Sequence, residues 1–378
     1  MTLRRSARAA ALLFALTAAA AAQDAPPPEQ PTEPELELKV VGSLESPGGV
    51  PLAFSADGKS LVYVKCERSE PNAQGDRSRA YIYVKAAADG SGATELFTTP
   101  VAWDDILVLY SSPGAISADG KRVIAVTNHK DGVSYKKGFL APLVLEADGT
   151  RTPIATSMGG CMGYGFAGER LLVLEVKPDW RKEPGYSLEA WKGGKSETIH
   201  ADPKAISLGL RVSPDGKKAA FLMVDPANGR NAIVRVIDLE TRKATDSDSF
   251  RTDDFTFDGP PYVLWDAESK GVYAHASLTE KSKRPFGLFR VDATTGKRER
   301  VVDLENVGVT AVLGDGLLAV YMRDDTFRGA AVLRLADKRL FKLQKRDFVL
   351  GGKGKRLALF RSVDGKDTCQ LVDFTLPK

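Results

Sequence analysis

Three pairs of adjacent aspartates are the residues of this chain best suited to chemistry: Trp103-Asp104-Asp105, Asp253-Asp254 and Asp324-Asp325. Each pair falls between runs of strand-forming residues, on a connection. Carboxylates converging at a channel mouth could hold Ca²⁺, a hard cation that takes about six to eight oxygens. They could also hold a cationic or sugar ligand, with Trp103 and Trp180 as stacking surfaces. The competing reading makes each pair a solvated loop, with partners such as Arg181, Arg230, Arg251, Arg323 or Arg328; surface pairs of that kind are worth little. His129, Cys161, Asp225, Arg230 and Arg328 would share the same rim.

Enzymatic readings find less support. The chain has three histidines, His129, His200 and His275. His129 and His200 sit at strand ends, and His275 alternates with Tyr273 inside a strand. A three-histidine metal site needs all of them on one face, which this spacing does not provide. No Gly-x-Ser-x-Gly elbow exists to expose a nucleophilic serine. Carboxylate pairs suited to glycoside cleavage are defined by geometry alone. No catalytic residue is assigned.

The elements that must position these residues are strands. The turns Ser55-Ala56-Asp57-Gly58-Lys59, Ser117-Ala118-Asp119-Gly120-Lys121 and Ser213-Pro214-Asp215-Gly216-Lys217 each join one apolar run to another. Glycine supplies a positive φ at no steric cost and aspartate bonds nearby main-chain donors, so turn chemistry accounts for these aspartates without calcium. No window shows sustained 3.6-residue periodicity. Strands recur in groups of four from residue 37 to the C-terminus, which predicts an all-β, seven-bladed β-propeller. Residues 37–378 divided by seven give about 49 per unit, near the ~40–50 of known blades. Six or eight blades are the alternatives, because the fifth to seventh units have degenerate turns. An array of immunoglobulin-like sandwiches fits the spacing poorly.

The second group reads Gly114–Ser117, Arg122–Asn128, Phe139–Leu145 and Arg151–Ile154. The last group has three clear strands, Asp347–Leu350, Arg356–Arg361 and Cys369–Phe374. Leu36–Val41 is an orphan run before the first group. Pairing it with the last group would close the ring and remove an open sheet edge.

Residues 1–22 read as a secretory signal: Arg4, Arg5 and Arg8, an apolar stretch from Ala9, then Ala20-Ala21-Ala22 as a small-residue cleavage site. An uncleaved anchor is the alternative, though the stretch is short and alanine-rich for a span of roughly 20 residues. Residues 23–36 form a Pro-rich acidic spacer and 37–378 the propeller. Without the three signal arginines the net charge of +4 becomes 4 − 3 = +1. The mature chain is then near neutral, with no nucleic-acid footprint and no membrane span. The densest basic spot is placed at Lys281, Lys283 and Arg284, beside Glu280. Cys66, Cys161 and Cys369 permit one disulfide in an oxidising compartment, lack C-x-x-C spacing, and fit small buried residues.

The S-[AP]-D-G-K turn between apolar strands resembles the TolB-type, or WD-like, bacterial β-propeller repeat. Ser55–Lys59, Ser117–Lys121 and Ser213–Lys217 match it closely. Ala167-Gly168-Glu169, Ala267-Glu268-Ser269-Lys270, Gly314-Asp315-Gly316 and Gly352-Lys353-Gly354 depart from it. The resemblance implies a scaffold whose members include binding modules, interaction platforms and the non-catalytic propellers of peptidases. No α/β-hydrolase domain is expected after the last blade. The expectation is a periplasmic or secreted binding module for an envelope or extracellular protein or glycan, with no cofactor unless Ca²⁺ binds. The expected ligand-binding residues are Trp103, Asp104, Asp105, His129, Trp180, Arg181, Asp253, Asp254, Asp324 and Asp325. The alternative is a propeller hydrolase or lyase on a sugar or lactone with a rim-bound divalent metal; a third is a structural envelope component held by the spacer.

Overall fold

The computed structural model describes residues 36–44, 52–55, 57–68, 79–101, 116–117, 119–127, 129–130, 133–134, 141–146, 148–154, 160–177, 184–205, 207–224, 231–251, 263–277, 286–304, 306–323, 326–363 and 366–377. Among them there are strands and turns but no helix, and so no helix long and apolar enough to cross a membrane.

The strands form seven blades in chain order. Blade 1 is Leu52–Phe54, Ser60–Arg68, Arg79–Ala87 and Thr94–Val101. Blade 2 is Val123–Thr127, Ala141–Leu145 and Arg151–Pro153. Blade 3 is Gly160–Ala167, Arg170–Val176, Tyr186–Lys192 and Lys195–Asp202. Blade 4 is Ser207–Val212, Lys218–Val224, Asn231–Asp238 and Ala244–Asp246, with Phe250–Arg251 also paired to the third strand. Blade 5 is Val263–Trp265, Gly271–Ser277, Phe286–Asp292 and Arg298–Arg300. Blade 6 is Val307–Gly314, Leu317–Arg323, Arg328–Arg334 and Arg339–Lys345. Blade 7 is Phe348–Lys353, Arg356–Val363 and Lys366–Thr375, completed by Glu37–Leu44 as its outer strand. Among the described residues blade 2 shows three of its four expected strands. Its expected first strand contributes only the bridge Ile116 to Val123 among the described residues.

Middle strands are covered on both faces, so they read as continuous apolar runs rather than alternating ones. In Arg170–Val176 every residue from Leu171 to Val176 is buried. Outer strands face solvent: all of Arg151–Pro153 is exposed. The hydrophobic core is divided among the seams. Tyr83, Val123 and Leu171 join blades 1, 2 and 3. Leu188 and Phe221 belong to one buried cluster of blades 3 and 4, and Val234 and Val272 to one of blades 4 and 5. Leu288 and Val307 share a cluster of blades 5 and 6, Val332 and Leu357 one of blades 6 and 7, and Leu371 and Leu61 one of blades 7 and 1.

First strands of neighbouring blades pack on one another from blade 3 round to blade 1. They approach closely. A Cβ on Gly163 would stand 2.5 Å from the backbone nitrogen of Leu210 on the next blade. Between blades 4 and 5, Trp265 Nε1 donates to the Arg211 carbonyl at 3.0 Å.

The ring is closed by the N-terminal strand, as the orphan run predicts. Glu37–Leu44 pairs antiparallel with Lys366–Thr375, from Glu37 opposite Thr375 to Leu44 opposite Cys369, with a register shift between Val40 and Gly42. Its ends are buried in different seams: Leu36 among the apolar residues of blades 6 and 7, Leu44 among those of blades 7 and 1.

The three matching turns are bonded alike. The hydroxyls of Ser55, Ser117 and Ser213 donate to Oδ1 of Asp57, Asp119 and Asp215, each at 2.6 Å. The same hydroxyl oxygens accept from the N–H of Ser60, Arg122 and Lys218 at 3.0, 2.9 and 2.9 Å. Each aspartate Oδ1 accepts from Lys59, Lys121 or Lys217 N–H at 3.0, 3.1 and 3.0 Å. The glycines sit at φ 70°, 69° and 71°. In blade 5 the motif is lost but its geometry survives. Asp266 Oδ1 accepts from Lys270 N–H at 2.8 Å, and Ser269 takes the left-handed position at φ 60°.

Candidate functional site

Antiparallel connectivity puts the first-to-second and third-to-fourth connections at one end of the ring. The blade-to-blade and second-to-third connections share the other end. The two ends differ in the length of chain they carry. At the turn end, Phe54 and Ser60, or Gly314 and Leu317, are separated by a few residues. At the other, residues 69–78, 102–115, 225–230, 252–262 and 278–285 lie between described strands or next to them.

The turn end spends its polar groups on itself. Arg122 of blade 2 donates to the carbonyls of Glu169 and Gly168 of blade 3 at 3.0 and 2.9 Å. Lys218 of blade 4 donates to the Ser269 carbonyl of blade 5 at 3.3 Å, and Asp215 N–H bonds Ser269 Oγ at 3.1 Å. Gly354 N–H of blade 7 bonds the Leu313 carbonyl of blade 6 at 2.7 Å. Lys85 of blade 1 bonds the Gly120 carbonyl of blade 2. The Ser55 and Ser117 hydroxyls, followed by backbone donors, hold Asp57 and Asp119 below the ordinary carboxylate value.

Of the residues expected at the rim, Trp103, Asp104, Asp105, Trp180, Arg181, Asp253, Asp254, Asp324 and Asp325 lie outside the described residues, as do Asp225 and Arg230. His129 falls in the short strand His129–Lys130, paired with Val133–Ser134; its side chain is outside the description. Arg328 starts the third strand of blade 6, exposed, with its Nε donating to Tyr321 Oη at 2.8 Å. Among the described residues no three His, Cys, Asp or Glu side chains gather in a way that could hold a metal ion.

Spacing alone missed the densest ionisable network among the described residues, at the seam of blades 3 and 4. Tyr186 opens the third strand of blade 3 and is buried, 5.2 Å in an edge contact from Phe221 of blade 4. His200, on the outer strand, stacks on Tyr186 with ring centroids 5.9 Å apart, its Nδ1 3.2 Å from the tyrosine oxygen. Arg235 of blade 4 reaches across to donate to that oxygen at 2.9 Å. Its other nitrogens fork onto Asp246 at 2.7 and 2.6 Å. Asp202 Oδ2 lies 3.8 Å from Arg235. Burial pushes Tyr186 up and keeps its phenol protonated. Burial, then the Arg235 cation, push His200 down. The Asp246 carboxylate leads the causes that hold the Arg235 guanidinium charged. The hairpin register that places Tyr186 opposite Asp202 and Leu188 opposite His200 was the available signal.

Blade 7 carries a buried ion pair. Arg361 donates to Asp347 Oδ2 at 2.5 Å, with the carboxylate almost wholly buried. Desolvation raises Asp347 despite this partner. Cys369 is a buried free thiol, and burial pushes it up to about 12. Such a thiol is inert.

No protein-family model matches the chain, and no curated protein matches its sequence. Solved propellers do match its fold. The β-propeller domain of Cps50 (Swd1) from Myceliophteria thermophila superposes with a TM-score of 0.54 at 10% identity, covering 90% of this chain and 100% of that one. The oligogalacturonate lyase of Vibrio parahaemolyticus gives 0.54 at 12% identity, covering 90% and 97%. TolB from Acinetobacter baumannii gives 0.42 at 13% identity, covering 90% and 97%. At such identities the likeness is one of fold, and TolB is one propeller among several.

Proposed function

We propose that this protein is a periplasmic or secreted binding module that holds a protein or glycan partner at the loop-rich end of its propeller. The reading rests on the difference between the two ends. Short turns at one end bond their polar groups to themselves and to the next blade. The other end carries the long connections, and long loops on a rigid scaffold are where recognition concentrates. Trp103, Asp104, Asp105, Asp253 and Asp254 fall within those long connections, Trp180 falls between Val176 and Tyr186, and Asp324-Asp325 fall in the short link between Arg323 and Arg328 at the same end.

Replacing Asp104, Asp254 and Asp324 together with Ala tests the reading. The expected outcome is an unchanged thermal midpoint and loss of the partner recovered by pull-down from native envelope extract, or of the glycan bound on an array. A triple variant that unfolds, or one that retains its partner, overturns the assignment. Turnover of a sugar or lactone that requires a divalent metal would replace it with the hydrolase or lyase alternative.

A further inference from the structure

The outer strand of blade 6 and its flanks read Lys338-Arg339-Leu340-Phe341-Lys342-Leu343-Gln344-Lys345-Arg346, five basic residues and no acid. Lys338, Arg339, Lys345 and Arg346 are exposed, and Lys342 is half-buried. The neighbouring strand extends the charge. Gly329 pairs with Lys345, and Arg346 N–H bonds the Arg328 carbonyl at 3.0 Å, which brings exposed Arg328 alongside. Arg323 is the register partner of Arg328.

The nearby acids are mostly spent. Asp337 is forked by Arg334 at 3.0 and 2.6 Å. Asp347 is buried against Arg361. Asp324 and Asp325, between Arg323 and Arg328 in sequence, lie outside the described residues. Among the described residues no carboxylate forms an ion pair with Lys338, Arg339, Lys345 or Arg346. The flanking blades are mixed in charge. Arg298 and Arg300 of blade 5 enclose Glu299, and Arg300 holds Asp303 at 2.7 Å. The outer strand of blade 7 carries both Glu37 and Lys39. The positive charge is therefore a stripe one blade wide, and seven strand residues make it about 20 Å long.

Lysines on an edge strand also guard against edge-to-edge pairing. This edge has a second guard, the register shift between Gly329 and Ala331, since a bulge bends the strand and breaks its ladder. An added peptide strand is thus opposed, and what docks here must read charge rather than backbone. A bilayer is flat and would meet the mixed charges of blades 5 and 7. Single-stranded nucleic acid would use exposed aromatic rings for stacking, whereas Phe327 and Phe341 are buried. We propose that the outer edge of blade 6 binds a linear acidic glycan, a carboxylate- or sulfate-bearing polysaccharide lying along the strand. The stripe runs along the outer edge of the blade, from Lys338 and Arg339 at the turn end to Lys345 and Arg346, which with Arg323 and Arg328 reach the loop-rich end.

The test uses the full protein with dextran sulfate, neutral dextran, anionic phospholipid vesicles and oligo-dT as probes. Dextran sulfate should bind, neutral dextran should not, and affinity should fall about tenfold or more between 50 and 200 mM salt as counterions are released. Arg339→Gln/Lys342→Gln/Lys345→Gln should weaken dextran sulfate about tenfold. Lys59→Gln/Lys121→Gln/Lys217→Gln makes the same charge change at the turn end and should alter affinity less than about twofold. Arg339 covers the Phe341 ring at 5.1 Å and Lys342 covers Phe327 at 5.4 Å, so the first variant also removes packing. Lys345→Gln/Arg346→Gln, clear of both rings, should still weaken binding about threefold. Equal losses in the stripe and turn-end variants would overturn the proposal, as would an unaffected Lys345/Arg346 variant. Tighter binding of vesicles or oligo-dT than of dextran sulfate would assign the stripe to another partner.

Discussion

His200 links ionisation to folding at a single seam. Tyr186, Arg235, Asp202 and Asp246 face it, and its folded pKa lies below the ordinary 6.5 because burial and Arg235 disfavour the imidazolium. In the window between the folded and unfolded values the unfolded chain binds more protons, so stability rises with pH there. It is held above the unfolded value and lost as pH falls towards the lower folded one. The thermal midpoint of the wild type should therefore fall between about pH 7 and 5, and His200→Gln should fall less over the same range. Differential scanning calorimetry at both pH values reads the difference. Parallel curves for the two proteins would mean that His200 carries none of the dependence. The exposed turn aspartates, Asp57 and Asp119, are also held low, from 3.8, and act only in more acid solution.

At the scale of the element, the repeated turn is a small bonded unit rather than a flexible link. Ser213 is buried, and its hydroxyl is the acceptor for Lys218 N–H. Ser213→Ala strands that donor and should cost about 1–3 kcal/mol. Asp215 is exposed, so Asp215→Ala should cost less than about 1 kcal/mol. Urea unfolding at unchanged m value separates the two. A larger loss for Asp215→Ala would show that the carboxylate, not the serine, organises the turn. The serine, aspartate and glycine of this turn were legible at Ser55–Lys59, Ser117–Lys121 and Ser213–Lys217 because all three residue types recur at fixed offsets. The blade 5 turn was not. Asp266 stands earlier than the motif expects, and Ser269 occupies the positive-φ position that glycine usually takes.

For the whole molecule, the N-terminal strand decides whether the ring is closed. It covers the edge of Lys366–Thr375 and buries Leu36 and Leu44 in separate seams. The two leucines alone contribute on the order of 3–6 kcal/mol, an upper bound from area. A chain lacking residues 1–44 should show a lower, less cooperative thermal transition and form oligomers through the bared strand edge. Size-exclusion chromatography and a thermal melt check both effects. A monomer with the wild-type midpoint would mean that closure contributes little.

The sequence by itself determined the all-β class, the seven units and the strand that latches them. Those features rest on local turn chemistry and on apolar runs that must be covered on both faces. Of the expected first strand of blade 2, Gly114–Ser117, the described residues show only the bridge from Ile116 to Val123. Tertiary structure alone decided which charges meet. Tyr186, His200 and Arg235 lie on two blades, and Arg323, Arg328 and Lys345 on three strands of one, so sheet register and blade packing bring together residues whose spacing along the chain carries no trace of it.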